Sequence, residues 1–366
     1  MNGAKGTGMN GATRRRRYVA LASGMFTTHA AKSIHGIIAY GDDRVVAVID
    51  PALEGRGIRD VLPHLDSDAP IVAELHAALD RRPNALLISA TPPGGGTLPE
   101  GWRATILSAL RAGLEVVSAL DTPLGDDPEF AEAAYLGGAQ ISDISTMPLR
   151  AMPYTGSAAT VKPYVLLTVG SDCGIGVTTA TLELAKAARE RGRRVEFLAT
   201  SITGRLISGK GVAIERVATE QAAGAVESLV CGHLPESEVL VVEGQGSIHH
   251  PATAAVTMAL LGGAAPDGLV LVHEATRVAL TDLGTPVLPL SMLRRLYETL
   301  VGTIKPAPVV GIVANTRGLN DRDARATLTA IHEATELPVG DIIRYGGREF
   351  YDAVADRLRT KTQRLA

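Results

Sequence analysis

The chain has 366 residues, long enough for two substantial hydrophobic cores. Its 36 basic and 39 acidic side chains leave a formal charge of −3, so a general nucleic-acid footprint is not implied. No apolar run approaches the ~20 residues of a membrane span, no signal-peptide core is evident, and Cys173 and Cys231 make neither a disulfide framework nor a metal cluster. The composition fits a cytoplasmic protein acting on a small molecule, without nucleic-acid or membrane partners, and a homo-oligomer is expected.

Residues 1–17 read as a disordered tail, although its Arg14–Arg17 run also suits an acidic partner. Residues 18–150 read as a Rossmann-like domain. YVALASG (18–24), VVAVID (45–50), ALLIS (85–89) and LEVVSA (114–119) are short, β-branched strands, with helical patterns between them at 70–83 and 102–113. Strands alternating with helices predict a parallel sheet covered on both faces. Ligands in such folds lie at the carboxyl ends of the strands, here SGMFTTHAAKS (23–33) and TPPGGG (91–96).

Residues 151–163 read as a linker, and residues 164–366 as a P-loop NTPase-like α/β domain. Its strands are predicted at 164–170, 194–200, 238–244, 268–274 and 308–316. The first runs into LLTVGSDCGIGVTTAT (166–181), a strand, a glycine-rich turn and a helical pattern. Such a loop points backbone N–H groups at phosphate oxygens, and the helix adds its positive end. Gly170, Ser171, Asp172, Cys173, Gly174, Ile175, Gly176, Val177, Thr178 and Thr179 are therefore the candidate cofactor-binding residues. Thr178 holds the hydroxyl position that normally meets magnesium. Val177 stands where phosphoryl transfer uses a lysine, so a cation must come from elsewhere, Lys210 and Arg205 being nearest in sequence. The plain alternative is a tight strand–helix turn holding no ligand.

VLVVEGQGSIHHPA (239–252) places Glu243 at a strand end, where an acidic residue can hold magnesium or its water. His249 or His250 there can act as a general base. Capping by Glu243 and plain solvent exposure of the histidines are the competing readings. In 200–227, Thr203, Gly204, Arg205 and Lys210 can hold an anion or carboxylate, and Glu215 and Glu220 can bind magnesium or an amine; ordinary surface charge explains them equally. Asn315 follows a late strand, where nucleotide folds often read a base.

These motifs resemble the family typified by D-glutamate N-acetyltransferase, from about residue 18 to the end. The matching stretches are AKSIHG (31–36), VVAVID (45–50), PPGGGTLPEGWR (92–103), GSDCGIG (170–176), TGRLISGKGVAIE (203–215), VEGQGSIHHPA (242–252) and GIVANT (311–316). The resemblance implies a Rossmann-like domain followed by a P-loop domain, with Lys32, His35, Gly94 and Gly95 as further ligand-site residues. The second domain is also similar to dethiobiotin synthetase. That likeness implies a nucleotide at Asp172, magnesium near Thr178 and Glu243, and a base near Asn315. Departures from the family pattern fall at Val177, at Asp121 in place of a histidine, and at Ser145-Thr146 in place of a basic pair.

The favoured reading is an acetyl-CoA- or other acyl-CoA-dependent N-acyltransferase acting on an amino acid or related amine. CoA pyrophosphate would lie on the loop and His249 or His250 would deprotonate the amine. The runner-up is an ATP- and Mg2+-dependent ligase working through a phosphorylated carboxylate. The third is a non-catalytic nucleotide-binding protein.

Overall fold

The computed structural model describes residues 15–90, 98–99, 101–146 and 153–362. The chain divides into two compact units between Ile144 and Ser145.

The first unit is one six-stranded parallel sheet in the order β3-β2-β1-β4-β5-β6. Its strands are β1 (Arg17–Leu21), β2 (Arg44–Ile49), β3 (Ile71–Val72), β4 (Ala85–Ile88), β5 (Glu115–Ser118) and β6 (Ile141–Asp143). Its helices are α1 (Lys32–Tyr40), the single turn α2 (Ile58–Val61), α3 (Trp102–Arg111) and α4 (Pro128–Gly137). This is the doubly wound order of dinucleotide folds, so the Rossmann-like expectation holds. Leu86, Ile88, Ile106, Leu110 and Val116 are among its fully buried core residues.

Two expectations fail here. The segment 70–83 is not one helix. Ile71–Val72 pairs with Val48–Ile49 as an edge strand, and Leu75–Arg81 forms a 3-10 turn. A free sheet edge beside β2 outweighed the weak helical spacing. The arginine run is not all tail either. Arg16 donates to both oxygens of Glu115 at 2.8 Å, and Arg17 starts β1.

The second unit is also all parallel, in the order β12-β11-β10-β7-β9-β8. Its strands are β7 (Tyr164–Gly170), β8 (Val195–Leu198), β9 (Val239–Val242), β10 (Gly268–Glu274), β11 (Val309–Asn315) and β12 (Val339–Gly340). Its helices are α5 (Val177–Glu190), α6 (Ile202–Ser208), α7 (Thr219–Cys231), α8 (Ala254–Ala264), α9 (Leu290–Gly302), α10 (Asp321–Thr335) and α11 (Arg348–Thr362). Strand β9 is buried at every residue, as expected for a parallel strand covered on both faces.

The segment read as a linker is built into this unit where it is described. Glu227 on α7, 3 % exposed, accepts the amides of Thr155 at 2.5 Å and Ala158 at 3.3 Å. Among the described residues no helix is long and apolar enough to cross a membrane.

Candidate functional site

Strand β7 lies between β10 and β9, so the carboxyl ends of three strands converge at the loop 171–176. Gly174 and Gly176 have φ of +69° and +98°, values that side chains with a Cβ rarely adopt. They turn the chain into α5, whose N-cap is Gly176 with no side-chain cap. The first-turn N–H groups of a helix have no intrahelical partners, which makes such a start an anion site. Val177, 8 % exposed, opens the helix, and Thr178 and Thr179 follow it.

Side chains from neighbouring strands and helices hold the loop in place. His273, at the end of β10, hydrogen-bonds through Nδ1 to the Ser171 hydroxyl at 2.9 Å. Burial holds its imidazole below the ordinary histidine value, against the opposing charge of Glu274. Tyr297 on α9 donates to the Gly170 carbonyl at 2.7 Å and accepts the Ile248 amide at 3.0 Å. Asn315 donates to the Ile175 carbonyl at 3.1 Å and accepts the Arg317 amide at 3.0 Å. Its amide thus props the loop from β11.

Glu243 directly follows β9 and is fully buried. One carboxylate oxygen accepts the Thr178 hydroxyl at 2.6 Å and the Ser201 hydroxyl at 2.7 Å. The other accepts the amides of Thr200 at 2.9 Å and Ser201 at 3.0 Å. Burial pushes this carboxyl above its ordinary value, and the four hydrogen bonds oppose that rise. The close fit requires glycine at 204, because a Cβ there would stand 2.2 Å from Glu243 Oε2. Glu243 therefore clamps the start of α5 to the loop before α6. A magnesium ion between Thr178 and Glu243 would have to take the threonine hydroxyl from the carboxylate.

On another side of the loop lies a second polar corner. Asp172, fully buried, accepts the Thr281 amide and hydroxyl through Oδ2, each at 2.9 Å, with Arg277 Nη1 at 3.5 Å. Its Oδ1 is buried without a hydrogen-bond partner. The Cys173 thiol is half-buried, 3.6 Å from the Thr253 hydroxyl, and burial pushes it up. His250, 7 % exposed, donates from Nε2 to the Thr281 carbonyl at 3.0 Å and accepts the Ala252 amide at Nδ1 at 3.2 Å. One ligating atom from each of Asp172, Cys173 and His250 lies within 4.8 Å of the others. Cys173 thus has two neighbours of metal-ligating type that its spacing in the sequence does not reveal. His249 points elsewhere, its Nε2 donating to the Pro286 carbonyl at 3.2 Å.

Lys210 is not brought to the loop. Its ammonium pairs with Glu196, near the start of β8, away from that strand's carboxyl end. Glu196, whose other oxygen accepts the Leu234 amide at 2.8 Å, captures the ammonium in place of a longer reach. Thr203, Gly204 and Arg205 lie on α6; burial pushes the Arg205 guanidinium down, against the charge of Glu215. Glu215 accepts the Ile202 amide at 2.9 Å, and Glu220 is exposed in the first turn of α7. In the first unit, Lys32 is exposed at the start of α1. His35 donates to the Phe26 carbonyl at 2.6 Å with its ring edge-on to Phe26, and burial pushes it below its ordinary value. Gly94 and Gly95 lie outside the described residues.

Sequence reasoning missed Arg277, Thr281, His273 and Tyr297. His273 was legible in principle, being polar at a strand's carboxyl end. The other three sit in a loop and a helix with no motif around them.

The carboxyl-terminal part, residues 152–351, matches the P-loop domain of a family described as a domain of unknown function, DUF1611. Residues 51–147 match that family's Rossmann-like amino-terminal domain. The chain belongs to the DUF1611 family. It is similar to a protein from Tritonibacter scottomollicae named D-glutamate N-acetyltransferase, 32 % identical over 71 % of this chain and 78 % of that protein. A Pseudoalteromonas protein of the same name is 33 % identical over 69 % of this chain and 76 % of its own length. A crystal structure of a DUF1611 protein from Anabaena variabilis matches with a TM-score of 0.87 and 35 % identity, covering 93 % of this chain and 100 % of the other. The two-domain architecture of Rossmann-like and P-loop sheets is therefore that of the DUF1611 family. The names of its relatives point to a transferase.

Proposed function

We propose that this DUF1611 protein is an N-acyltransferase that moves an acetyl group from acetyl-CoA, or a related acyl-CoA, to an amino acid or similar amine. The observation that carries the reading is the loop after β7. It offers an uncapped helix start to an anion but has the nearly buried Val177 where phosphoryl transfer needs a lysine. A CoA pyrophosphate can use such a site without phosphoryl chemistry. The names of the Tritonibacter and Pseudoalteromonas relatives support the same class and make D-glutamate the first amine to try.

In this reading the amine nitrogen attacks the thioester carbonyl, the C–N bond forms, and the C–S bond breaks to release CoA. His249 is the candidate base: its Nε2 proton is committed to the Pro286 carbonyl, which leaves Nδ1 with the lone pair. His250 is less suited, because its Nδ1 already accepts the Ala252 amide. Backbone N–H groups would stabilise the oxyanion. Glu243 positions Thr178 and the α6 loop and does not itself meet substrate.

The ligase reading rests on one observation, the 2.6 Å pairing of Thr178 with Glu243, the residues that would hold magnesium beside a nucleotide. Purified full-length protein assayed for thiol release from acetyl-CoA separates the readings. Release that depends on an added amino acid, D-glutamate first, is the expected result. Phosphate release from ATP–Mg2+ that depends on an amine or carboxylate, without thiol release from acyl-CoA, would overturn the proposal. Nucleotide binding with neither release would favour the non-catalytic reading.

A further inference from the structure

We propose that Asp172, Cys173 and His250 form a zinc site, with three protein ligands and the fourth position open. The acyl-transfer reading neither requires this site nor predicts it. Cys173 and Asp172 come from the loop after β7, and His250 comes from the loop after β9. The sheet order makes β7 and β9 neighbours, so the convergence is set by the backbone. One donor atom from each residue already lies within 4.8 Å of the other two. Tetrahedral zinc, with bonds of about 2.0–2.3 Å, holds its donors roughly 3.3–3.8 Å apart. Closing on an ion therefore means drawing donor atoms that lie within 4.8 Å of one another to that spacing.

Two further observations point to a missing ligand. Asp172 is fully buried, yet Oδ1 has no hydrogen-bond partner. A buried carboxylate oxygen left unpaired costs free energy that a cation in this corner would remove. Its other oxygen is pinned by Thr281, with Arg277 close by, so Oδ1 is held in a defined position. His250 is likewise oriented. Its Nε2–H donates to the Thr281 carbonyl, the outer-sphere bond that fixes the tautomer of a metal-binding histidine and leaves Nδ1 as donor atom. Zinc at Nδ1 would displace the 3.2 Å contact from the Ala252 amide.

The donor set decides the metal class. A thiolate, an imidazole and a carboxylate suit zinc, whereas magnesium and calcium take oxygen ligands. Binding would release the thiol proton, since a coordinating sulfur is a thiolate. Cys173 is only half-buried, which leaves a route for the ion and for a fourth ligand such as water. Two of the three ligands belong to the phosphate loop, so an ion here would bring positive charge to a loop that lacks its lysine.

The test uses the full-length chain, chelator-stripped and reduced, titrated with Co2+ and then Zn2+. One Co2+ per chain should bind with a thiolate-to-cobalt charge-transfer band and the strong visible bands of four-coordinate cobalt, and Zn2+ should displace it. Cys173→Ser should abolish the charge-transfer band and weaken binding by at least the roughly 10–100-fold that outer-sphere changes cost. His250→Gln should weaken binding similarly while keeping the band. Cys231→Ser, at the other free cysteine, should change neither. Wild-type protein that shows no thiolate–cobalt band, or a band that persists in Cys173→Ser, would overturn the site. The wild-type spectrum decides by itself if a variant fails to fold.

Discussion

Two buried carboxylates border the phosphate loop, and the protein treats them in opposite ways. Glu243 has both oxygens filled by four donors from three positions, Thr178, Thr200 and Ser201. Asp172 has one oxygen filled and the other unpaired. A saturated carboxylate is a clamp: it can be removed only by stranding its donors. A half-satisfied one can still accept a further donor or a cation. Burial of an acidic side chain therefore does not by itself mark a reactive group; how many of its lone pairs are filled must be counted as well.

The largest expected effect tests the clamp. Glu243→Ala leaves two amides, one of them fully buried, and two hydroxyls without their acceptor. It should lower unfolding free energy by about 3–5 kcal/mol in urea titration. Gly204→Ala should be of similar severity, because its new Cβ would collide with Oε2 at 2.2 Å. A loss below about 1 kcal/mol in Glu243→Ala would show that the four hydrogen bonds to Glu243 do not hold the loop.

Tyr297→Phe should cost less, about 1–2 kcal/mol, by removing the hydroxyl that joins the Gly170 carbonyl to the Ile248 amide. That hydroxyl links the two loops carrying Asp172 and His250. Cobalt affinity should therefore fall several-fold, and an unchanged affinity would show that the two loops hold their register without it. Asp172→Asn in metal-free protein should cost about 1 kcal/mol or less, since the side chain already has an unmade interaction. A penalty as large as that of Glu243→Ala would show that Asp172 is a clamp too.

The smallest effect is the pH dependence. His273 and His35 are both held below the ordinary histidine value by burial. Below about pH 6.5 the unfolded chain binds protons that the folded chain refuses, so stability falls as pH drops toward the folded values. His273→Asn should make that decline shallower, as read by chemical unfolding at several pH values. Glu243 has the opposite sign. Its carboxyl is raised, so the folded chain keeps a proton that the unfolded chain has lost, and stability falls as pH rises above the ordinary glutamate value. An identical pH profile in His273→Asn would show that His273 contributes nothing to the decline.

Much of the fold was legible because parallel strands buried on both faces leave short, β-branched apolar runs that are easy to recognise. Val239–Val242 and Val309–Asn315 are such runs. The edge strand Ile71–Val72 was not, since two residues carry no periodicity and their pairing with Val48–Ile49 is a tertiary event. The loop after β7 was legible through its glycines, and Glu243 through its place after a strand. The pairing of Lys210 with Glu196 was not legible, because proximity in sequence says nothing of which carboxylate captures a long, flexible side chain.

By itself the sequence determined two successive α/β sheets, a glycine-rich turn leading into α5, and the loss of that turn's lysine at Val177. These are local properties, written in strand composition, in the glycines at 174 and 176, and in a single side-chain identity. Only the tertiary structure decided that Glu243 is saturated, that Asp172 keeps an empty lone pair, and that His250 stands beside Cys173. Each of those facts joins residues far apart in sequence, and hydrogen-bond saturation depends on groups that only the packed sheet order brings into reach.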